Sequence, residues 1–164
     1  PFAAFTYLVE EADRLSCLDA IKRHLTDNGL FIVDSFVSHQ DIQCEDHVFH
    51  DYRREIAPGL FLDRRKTIQK DPSSQVNFIT RYYRLLTADG RALKAFSTQD
   101  RIRYFFQDEL AQLLQRNGFE ILHAYGDYQR RPFSPEAQMM VFVTALPAVG
   151  AGFGRPGPAS SAAG

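Results

Sequence analysis

A carboxylate stands directly after a short apolar run in this sequence. Leu30 to Val33 contains no polar residue, and Asp34, Ser35 and Phe36 follow it. Such a run predicts a strand that is buried on both faces of a sheet. Because ligand crevices in open α/β sheets lie beyond the carboxyl ends of the strands, Asp34 and Phe36 are candidate substrate-binding residues. The alternative is that Asp34 is a polar strand end bonded to nearby amides.

A second set of residues interleaves guanidinium and aromatic groups. Its members are Arg81, Tyr82, Tyr83, Arg84, Arg103, Tyr104, Tyr128, Arg130 and Arg131. Such groups clamp an acidic or aromatic substrate, or stack the bases of a single strand. From this set we predict substrate contacts for Arg81, Tyr83, Arg103, Tyr128 and Arg130. The alternative is a solvated antiparallel face with cross-strand pairs.

A third group has the ligand types of a transition-metal site. Cys44, His47 and His50 follow one another at equal spacing, and His39, Asp41, Glu45, Asp46 and Asp51 surround them. Thiolate, imidazole and carboxylate are the usual zinc ligands. The spacing does not match an established closed site, and polar loops collect such residues readily. We therefore predict no metal site here, and a metal-dependent hydrolase is the weaker alternative.

The composition suits one globular domain with a real core. The chain has 164 residues, of which 45% are hydrophobic and 24% charged, and its formal net charge is -1. This charge gives no broad attraction to nucleic acid or to an anionic membrane. No apolar run approaches the roughly 20 residues that span a bilayer. Two cysteines, Cys17 and Cys44, suit a reducing compartment, so we expect a cytoplasmic protein.

The apolar run is preceded by a helical pattern. Leu18, Ile21 and Leu25 share one face of a helix expected from about Asp13 to Leu25. Asp27-Asn28-Gly29 is expected to supply a left-handed residue that ends the helix and turns the chain into the sheet. Helix, glycine turn and strand together predict the second half of a βαβ unit, with Leu30 to Val33 as a central strand.

The middle of the chain predicts an antiparallel insertion from about residue 61 to 103. Strands are expected from Leu62 to Lys70, Gln75 to Leu85 and Arg91 to Thr98, joined by turns at Asp71-Pro72-Ser73-Ser74 and Asp89-Gly90. The polar stretch before it, Ser38 to Glu55, is expected to be a loop.

The remainder predicts one more helix and two strands. The helix opens at Asp108, carries Leu110, Leu113 and Leu114 on one face, and ends at Asn117-Gly118. Strands are expected at 119–125 and 138–146. The tail from Pro147 to Gly164 consists almost entirely of Gly, Ala, Pro and Ser, so we expect it to be disordered. The folded domain is thus predicted to span residues 1–146.

The order of these elements resembles the carboxyl-terminal half of a class I S-adenosylmethionine-dependent methyltransferase. The motifs that carry the resemblance are Pro1-Phe2-Ala3-Ala4-Phe5, Leu25-Thr26-Asp27-Asn28-Gly29-Leu30-Phe31, and Glu109-Leu110 through Gly118-Phe119 followed by Tyr125-Gly126-Asp127. The expected fold class is α/β, the carboxyl-terminal part of a Rossmann-like methyltransferase fold with an antiparallel β insertion. The match covers residues 1–145 approximately.

The resemblance also implies what this sequence lacks. The family's glycine-rich loop and the acid that closes its second strand would precede Pro1, so most of a cofactor site is expected to be missing. The resemblance implies that Phe2 and Phe5 border the cofactor and the substrate, and the alternative is that both are plain packing residues. Phe106 stands where the family has a Thr or Ser helix cap, which leaves the start of that helix uncertain by a turn. The start at Pro1, without a methionine, suggests a piece of a longer protein or a trimmed natural terminus.

Two classes of function follow from these observations. The first is methyl transfer from S-adenosylmethionine to a small or medium-sized acceptor, in a fragment that is inactive alone. The second is a non-catalytic binding or dimerisation module derived from the same fold. We expect a small-molecule substrate, no nucleic acid and no membrane, and the chain could form a homodimer.

Overall fold

The computed structural model describes residues 3–37, 48–134 and 136–147. A 3₁₀ turn, Ala4–Tyr7, precedes helix α1, Glu11–His24, and a second helix, α2, spans Gln107–Arg116. The strands are β1 Leu30–Phe36, β2 Phe49–Ala57, β3 Leu60–Asp71, β4 Val76–Thr87, β5 Ala92–Arg103, β6 Glu120–Tyr125 and β7 Met139–Ala145. Neither described helix is long and apolar enough to cross a membrane. The predicted disordered tail lies outside the described residues, apart from Pro147.

The strands form two separate sheets. The first has the order β1-β7-β6, and both of its pairings are antiparallel. The second has the order β2-β3-β4-β5 and is antiparallel throughout. This mixture of helices with antiparallel sheets confirms the α/β fold class and the antiparallel insertion. The described residues include no strand before α1, so the predicted βαβ pairing is not seen.

One hydrophobic core joins the two helices to the first sheet. Its buried members are Phe5, Leu18, Val33, Phe105, Leu110, Leu114, Phe119, Met140 and Phe142. Ile21 and Leu25, predicted to share a helix face with Leu18, pack against this cluster. Residues three and four apart on α1 and α2 therefore cover the same face of the sheet, as their spacing predicts.

The prediction that β1 is a central strand covered on both faces is wrong for this chain. Val33 is only 3% exposed, whereas its neighbour Ile32 is 58% exposed. Leu30 and Phe36 lie on the same exposed side. Within the described residues, β1 has a partner strand on one side only, since β7 is its neighbour. The helices thus cover one face of β1, and the described residues leave an apolar face uncovered.

The turn into β1 differs from the prediction. None of Asp27, Asn28 and Gly29 has a positive φ, so no left-handed residue ends α1. Gly29 is needed because a Cβ there would lie 2.9 Å from Leu25 Cδ2 and 3.0 Å from the carbonyl oxygen of Thr26. The two other predicted glycine turns are confirmed, because Gly90 and Gly118 each have a φ of 86°.

The insertion has four strands rather than three. β2 covers residues 49–57, where the polar composition suggested a loop, and it pairs with β3 from Phe49↔Lys66 to Ala57↔Leu60. Residues 38–47 of the expected loop lie outside the described residues. β2 is polar because it lies at the edge of its sheet, where charged side chains are common. The predicted Asp71 turn is confirmed, since Asp71 Oδ1 accepts hydrogen bonds from the Ser73 amide and hydroxyl.

Candidate functional site

The carboxylate of Asp34 is the centre of a small hydrogen-bonded cluster. Its Oδ2 accepts a bond from the Ala3 amide at 3.0 Å and another from the Tyr128 hydroxyl. These partners lie 31 and 94 residues away in the chain. The amino-terminal segment, the end of β1 and the loop after β6 therefore meet at this carboxylate. Asp34 and Tyr128, both predicted substrate-binding residues, are brought together.

Ala3 holds a strained backbone at this site. Its φ of 47° and ψ of 29° are left-handed, which is uncommon for a residue with a Cβ. The conformation is fixed from both sides, because the Ala3 amide donates to Asp34 and its carbonyl accepts from the Thr6 hydroxyl at 2.6 Å. Backbone strain of this kind costs about 1–3 kcal/mol and clusters at functional sites. No sequence signal singled out Ala3.

An apolar cavity of about 330 Å³ adjoins the carboxylate. It lies between the 3₁₀ turn, α1 and β1, and it is lined by Ala4, Phe5, Leu8, Cys17, Ile21, Phe31, Ile32, Val33 and Asp34. Phe5 also packs on Phe105 with ring centroids 5.9 Å apart. An apolar wall with one convergent carboxylate is the usual character of a small-molecule site.

Partial desolvation of the hydroxyl and the neighbouring carboxylate raise the pKa of Tyr128 to about 12, although the residue as a whole is 55% exposed. The largest cause is desolvation of the hydroxyl, and the hydrogen bond to Asp34 and its charge act in the same direction. The phenol is therefore neutral across the physiological range and donates its proton to Asp34. The pKa of Tyr128 in the folded chain lies above its ordinary value of about 10. The hydrogen bond from Tyr128 to Asp34 therefore contributes fully to the free energy of unfolding below pH 10, and this contribution is lost as the pH rises towards 12.

We expect the Tyr128→Phe variant to lose a tyrosinate absorbance step that the native chain shows near pH 12. In Asp34→Asn the step should move part of the way down from about pH 12, because the amide carries no charge while the desolvation of the hydroxyl remains. Ultraviolet absorbance titration measures this directly. Tyr7→Phe, which removes another exposed tyrosine, is the control that should leave the late step in place. A Tyr128 step that does not respond to Asp34→Asn would contradict the pairing.

Other predicted substrate residues lie in the insertion and have partners there. Arg81 forms an ion pair with Asp100 of β5. Tyr83 stacks on Phe96, with ring centroids 4.8 Å apart and planes 9° from parallel. Both contacts are cross-strand pairs between β4 and β5, as the alternative interpretation of the arginine and tyrosine set expected. The structure does not join Arg81 or Tyr83 to the Asp34 cluster through any described contact.

Arg103 connects the insertion to helix α2. Its guanidinium donates to the Ser74 carbonyl at 2.8 Å, to Gln75 Oε1 at 2.6 Å and to Glu109 Oε1 at 2.5 Å. Glu109 Oε2 also accepts from the Phe106 amide at 3.4 Å, which is one half of a capping box. The helix starts directly after Phe106 as a result. This network gives Arg103 a structural role at the described junction.

The remaining predicted site residues have separate positions. Phe36 lies two residues after Asp34 on the exposed side of β1 and is 45% exposed. Arg130 has a left-handed backbone with a φ of 64° and is exposed in the loop after Tyr128. Phe2 lies outside the described residues. Phe36 is thus placed on the same side of the strand as Asp34, and Arg130 follows the loop that carries Tyr128.

The histidine-rich stretch is only partly described. Cys44 and His47 lie outside the described residues, whereas His50 Nε2 lies 2.8 Å from Asp63 Oδ1. Asp63 Oδ2 also contacts Arg84 Nη2 at 3.0 Å and Arg65 Nε at 3.4 Å. Burial of Asp63 opposes ionisation, but the His50 and arginine contacts outweigh it and lower the pKa of Asp63. Over residues 3–37, 48–134 and 136–147, no group of three side chains could hold a metal ion.

The described residues do not make a complete S-adenosylmethionine site. Ala4 and Phe5 provide an apolar wall next to Asp34. Neither described helix begins after a glycine-rich turn, since Glu10 precedes α1 and Phe106 precedes α2. A complete cofactor site needs such a close backbone approach and an acid for the ribose hydroxyls. The described part of the chain supplies no such glycine-rich turn.

Comparison of this fold with known proteins points to methyltransferases. No protein-family model matches the chain, and no curated protein matches it. A methyltransferase from Streptomyces caelestis, CcbJ, is similar in structure with a TM-score of 0.66 and 18% identity, over 88% of this chain and 58% of that one. An S-adenosylmethionine-dependent methyltransferase from Clostridium acetobutylicum gives 0.67 and 16%, over 88% and 55%.

A sugar N-methyltransferase, KedS8 from Streptoalloteichus, is also similar. Its TM-score is 0.63 at 20% identity, over 87% of this chain and 53% of that one. The chain therefore spans little more than half the length of these three proteins. At these identities the likeness concerns the fold alone. The fold of the described residues is therefore similar to part of the fold of these methyltransferases, which agrees with the α/β fold class that the order of the sequence motifs implied.

Proposed function

We propose that this chain carries the acceptor side of an S-adenosylmethionine-dependent methyltransferase. The observation that carries this proposal is the Asp34 cluster, which lies at the carboxyl end of β1 beside an apolar cavity. The fold shared with methyltransferases supports the reaction class. When bound, S-adenosylmethionine would supply an activated methyl group.

The role of Asp34 is to hold the atom that receives the methyl group. Both described bonds of its carboxylate reach Oδ2, and in this proposal Oδ1 contacts the acceptor. A carboxylate accepts hydrogen bonds, which favours a small acceptor that bears an N–H or O–H group. Tyr128 and Ala3 fix the carboxylate, so that the acceptor is oriented before reaction. Asp34 Oδ1 would also take the proton that such an acceptor gives up. The similarity to a sugar N-methyltransferase agrees with an amine acceptor.

We propose that the cofactor is held mainly by residues other than those of this chain. β1 exposes the apolar side chains of Leu30, Ile32 and Phe36, and one edge of the strand has no partner strand among the described residues. A further α/β unit would cover this face and this edge. A complete enzyme would then comprise this chain together with a cofactor-binding unit in the same or another polypeptide. Residues 1–164 alone would be inactive.

Methyl transfer in the longest natural polypeptide that contains this chain tests the proposal. With labelled S-adenosylmethionine and a panel of small amines and alcohols, we expect Asp34→Asn to lower kcat/KM by about 10²-fold, because it removes the carboxylate that orients the acceptor and takes its proton. Asp19→Asn, which removes an exposed carboxylate on α1 that pairs with Lys22, is the matched control. An Asp34→Asn variant with unchanged kcat/KM would rule out this role for the carboxylate.

Calorimetry on residues 1–164 alone tests separately whether another unit holds the cofactor. We expect weak or no binding of S-adenosylmethionine, since the described residues do not make a complete site for it. Micromolar binding would contradict the proposal that another unit holds the cofactor, without bearing on Asp34.

The substrate class, the location and the alternative functions remain proposals. We propose a small-molecule substrate and a cytoplasmic location, the latter from the sparse use of cysteine. The non-catalytic binding module and the metal-dependent hydrolase are less well supported. The shared fold and the Asp34 cluster favour methyl transfer over both of them.

A further inference from the structure

A second cavity, of about 390 Å³, lies in the groove between the two helices. Its walls come from the first half of α1, from α2 and from the end of β5, and it shares no lining residue with the cavity at Asp34. Phe105 lines it, and Phe5, which packs on that ring, lines the Asp34 cavity. The second cavity is large enough for a small organic molecule, and the proposed methyl transfer makes no use of it.

Three guanidinium groups and two carboxylates line this cavity, which leaves one positive charge in excess. The arginines are Arg14, Arg103 and Arg116, and the acids are Glu11 and Glu109. The carboxylate of Glu109 is already engaged, because Oε1 accepts from Arg103 and Oε2 accepts from Gln75 at 2.8 Å. The charge of Glu109 is therefore largely committed to the junction with the insertion, whereas Arg14 and Arg116 lack such a partner.

Arg14 is a buried cation without a carboxylate partner. It is 7% exposed, and over residues 3–37, 48–134 and 136–147 its hydrogen bonds reach only the carbonyl oxygens of Leu8 and Val9, at 2.9 Å and 2.5 Å. Both bonds come from Nη1, so Nε and Nη2 keep free donors. Because a buried charge is costly without a counter-charge, an anion in this cavity would be stabilised by Arg14.

A second arginine lies at the same aromatic ring. The guanidinium carbons of Arg14 and Arg103 lie 5.9 Å and 5.3 Å from the centroid of Phe105. Nε of Arg103 is buried and has no hydrogen-bond partner in the described part of the chain. Buried donors without a partner are rare in proteins, and a bound ion or water is a common reason for one. Two positive groups with unused donors therefore converge on one wall of the cavity.

The cavity also has an apolar part. Leu15 of α1 and Leu113 of α2 line it, and Leu15 is 36% exposed. A ligand that matches both parts has a negatively charged head and an apolar body. Guanidinium groups offer parallel N–H donors that fit the paired oxygens of a carboxylate or a phosphate.

We propose that this cavity binds a small organic anion, whose carboxylate or phosphate lies against Arg14 and Arg103. The apolar part of the ligand would cover Leu15 and Leu113. This site is independent of the methyl-transfer proposal, because the two cavities share no lining residue.

Calorimetry on the full chain at constant ionic strength tests the site, with phenyl phosphate and phenylacetate as probes. We expect saturable binding of at least one of them with a Kd below about 1 mM. Tighter binding of phenyl phosphate would assign a phosphate ligand, and tighter binding of phenylacetate a carboxylate. Inorganic phosphate lacks the ring and benzyl alcohol lacks the charge, so each should bind at least about 10-fold more weakly than the preferred anion.

Two exposed residues at the cavity should change the affinity in opposite directions. Arg116→Gln removes a positive charge and should weaken binding of the preferred anion by about threefold to tenfold. Glu11→Gln removes a negative charge and should strengthen it by about threefold. Both residues are exposed, so neither variant should disturb folding, and a folding defect could not strengthen binding.

Arg14→Lys keeps the charge but loses the parallel donors, so it should weaken binding by about 10-fold or more. Circular dichroism checks that this variant folds, and if it does not, the two exposed variants decide the question. Arg23→Gln, at the other end of α1 and outside the cavity, is the matched control and should bind like the native chain. The proposal is overturned if neither anion saturates up to about 10 mM, if benzyl alcohol or inorganic phosphate binds as well as the preferred anion, or if Arg116→Gln and Glu11→Gln leave the affinity unchanged.

Discussion

Val33→Asp is expected to prevent folding, whereas Ile32→Asp should leave the chain folded. Val33 is 3% exposed and packs in the core with Leu18, Leu110 and Phe142. An aspartate at this position would bury a carboxylate without a partner, at a cost of about 4–5 kcal/mol or more. That is close to the whole stability of a domain at the lower end of the usual range of about 5–15 kcal/mol. Ile32 is 58% exposed, so its substitution should cost less than about 1 kcal/mol.

Urea unfolding followed by circular dichroism measures both variants in dilute solution. Val33→Thr is the control, because it keeps the shape of the side chain and adds a polar group without charge. It should cost clearly less than Val33→Asp. If Ile32→Asp unfolds the chain as well, the exposed face of β1 is covered in solution and its description as a one-sided strand is wrong.

The same pair of variants behaves differently if the proposed cofactor-binding unit is present. In a longer polypeptide that covers the apolar face of β1, Ile32→Asp would bury its carboxylate too, and its cost should rise to several kcal/mol. The difference between the two backgrounds therefore measures how far the face is covered. Equal costs in both would argue against a unit packed on Ile32.

Local signals predicted most of the elements of this fold. The helices and the hairpin of the insertion follow from residues close together in sequence, such as Gly90 in the hairpin and Gly118 at the end of α2. The covering of β1 could not be predicted this way. An apolar run indicates that a strand can be buried. Which of its two faces is covered depends on elements elsewhere in the chain or outside it.

The candidate site was predicted in parts but not as a unit. Asp34 and Tyr128 were each predicted to contact substrate, yet their hydrogen bond depends on how the loop after β6 returns over the end of β1. Ala3 gave no signal, because an alanine amide is identical to any other in a sequence. Arg81 and Tyr83 were grouped with the site by residue type. The register of β4 against β5 instead gives them Asp100 and Phe96 as partners.

Phe105→Ala is the second variant with a large expected effect. Phe105 is 1% exposed and lies between the end of β5 and the start of α2, where the insertion meets the core. Its ring packs on Phe5, and the guanidinium carbons of Arg14 and Arg103 lie 5.9 Å and 5.3 Å from its centroid. Truncation of a buried phenylalanine costs about 3–5 kcal/mol through lost transfer energy and the cavity left behind.

Because of the surroundings of Phe105, we expect the loss of stability to lie towards the upper end of this range of about 3–5 kcal/mol. Burial and the nearby charge of Arg103 lower the pKa of Arg14. Arg14 is 7% exposed and the side chain of Arg103 is 15% exposed, so both cations lie mostly out of water beside the ring. Loss of the ring also removes two cation–π contacts, each worth about 0.5–1 kcal/mol or more. The backbone is held independently, because Phe105 forms a bridge with Val37. The surrounding residues therefore cannot easily close the cavity that Phe105→Ala leaves behind.

Phe106→Ala is the matched control for this substitution. Phe106 is adjacent in sequence, is 36% exposed and makes an edge contact with Tyr104 at 5.9 Å. Its truncation should cost less than about 1.5 kcal/mol, since much of the ring already faces water. Thermal and urea unfolding compare the two variants, and native-state hydrogen exchange should show the loss for Phe105→Ala in both the insertion and α2. If the two variants are equally stable, Phe105 does not join the insertion to the core, and Arg103 with Glu109 must hold the junction without it.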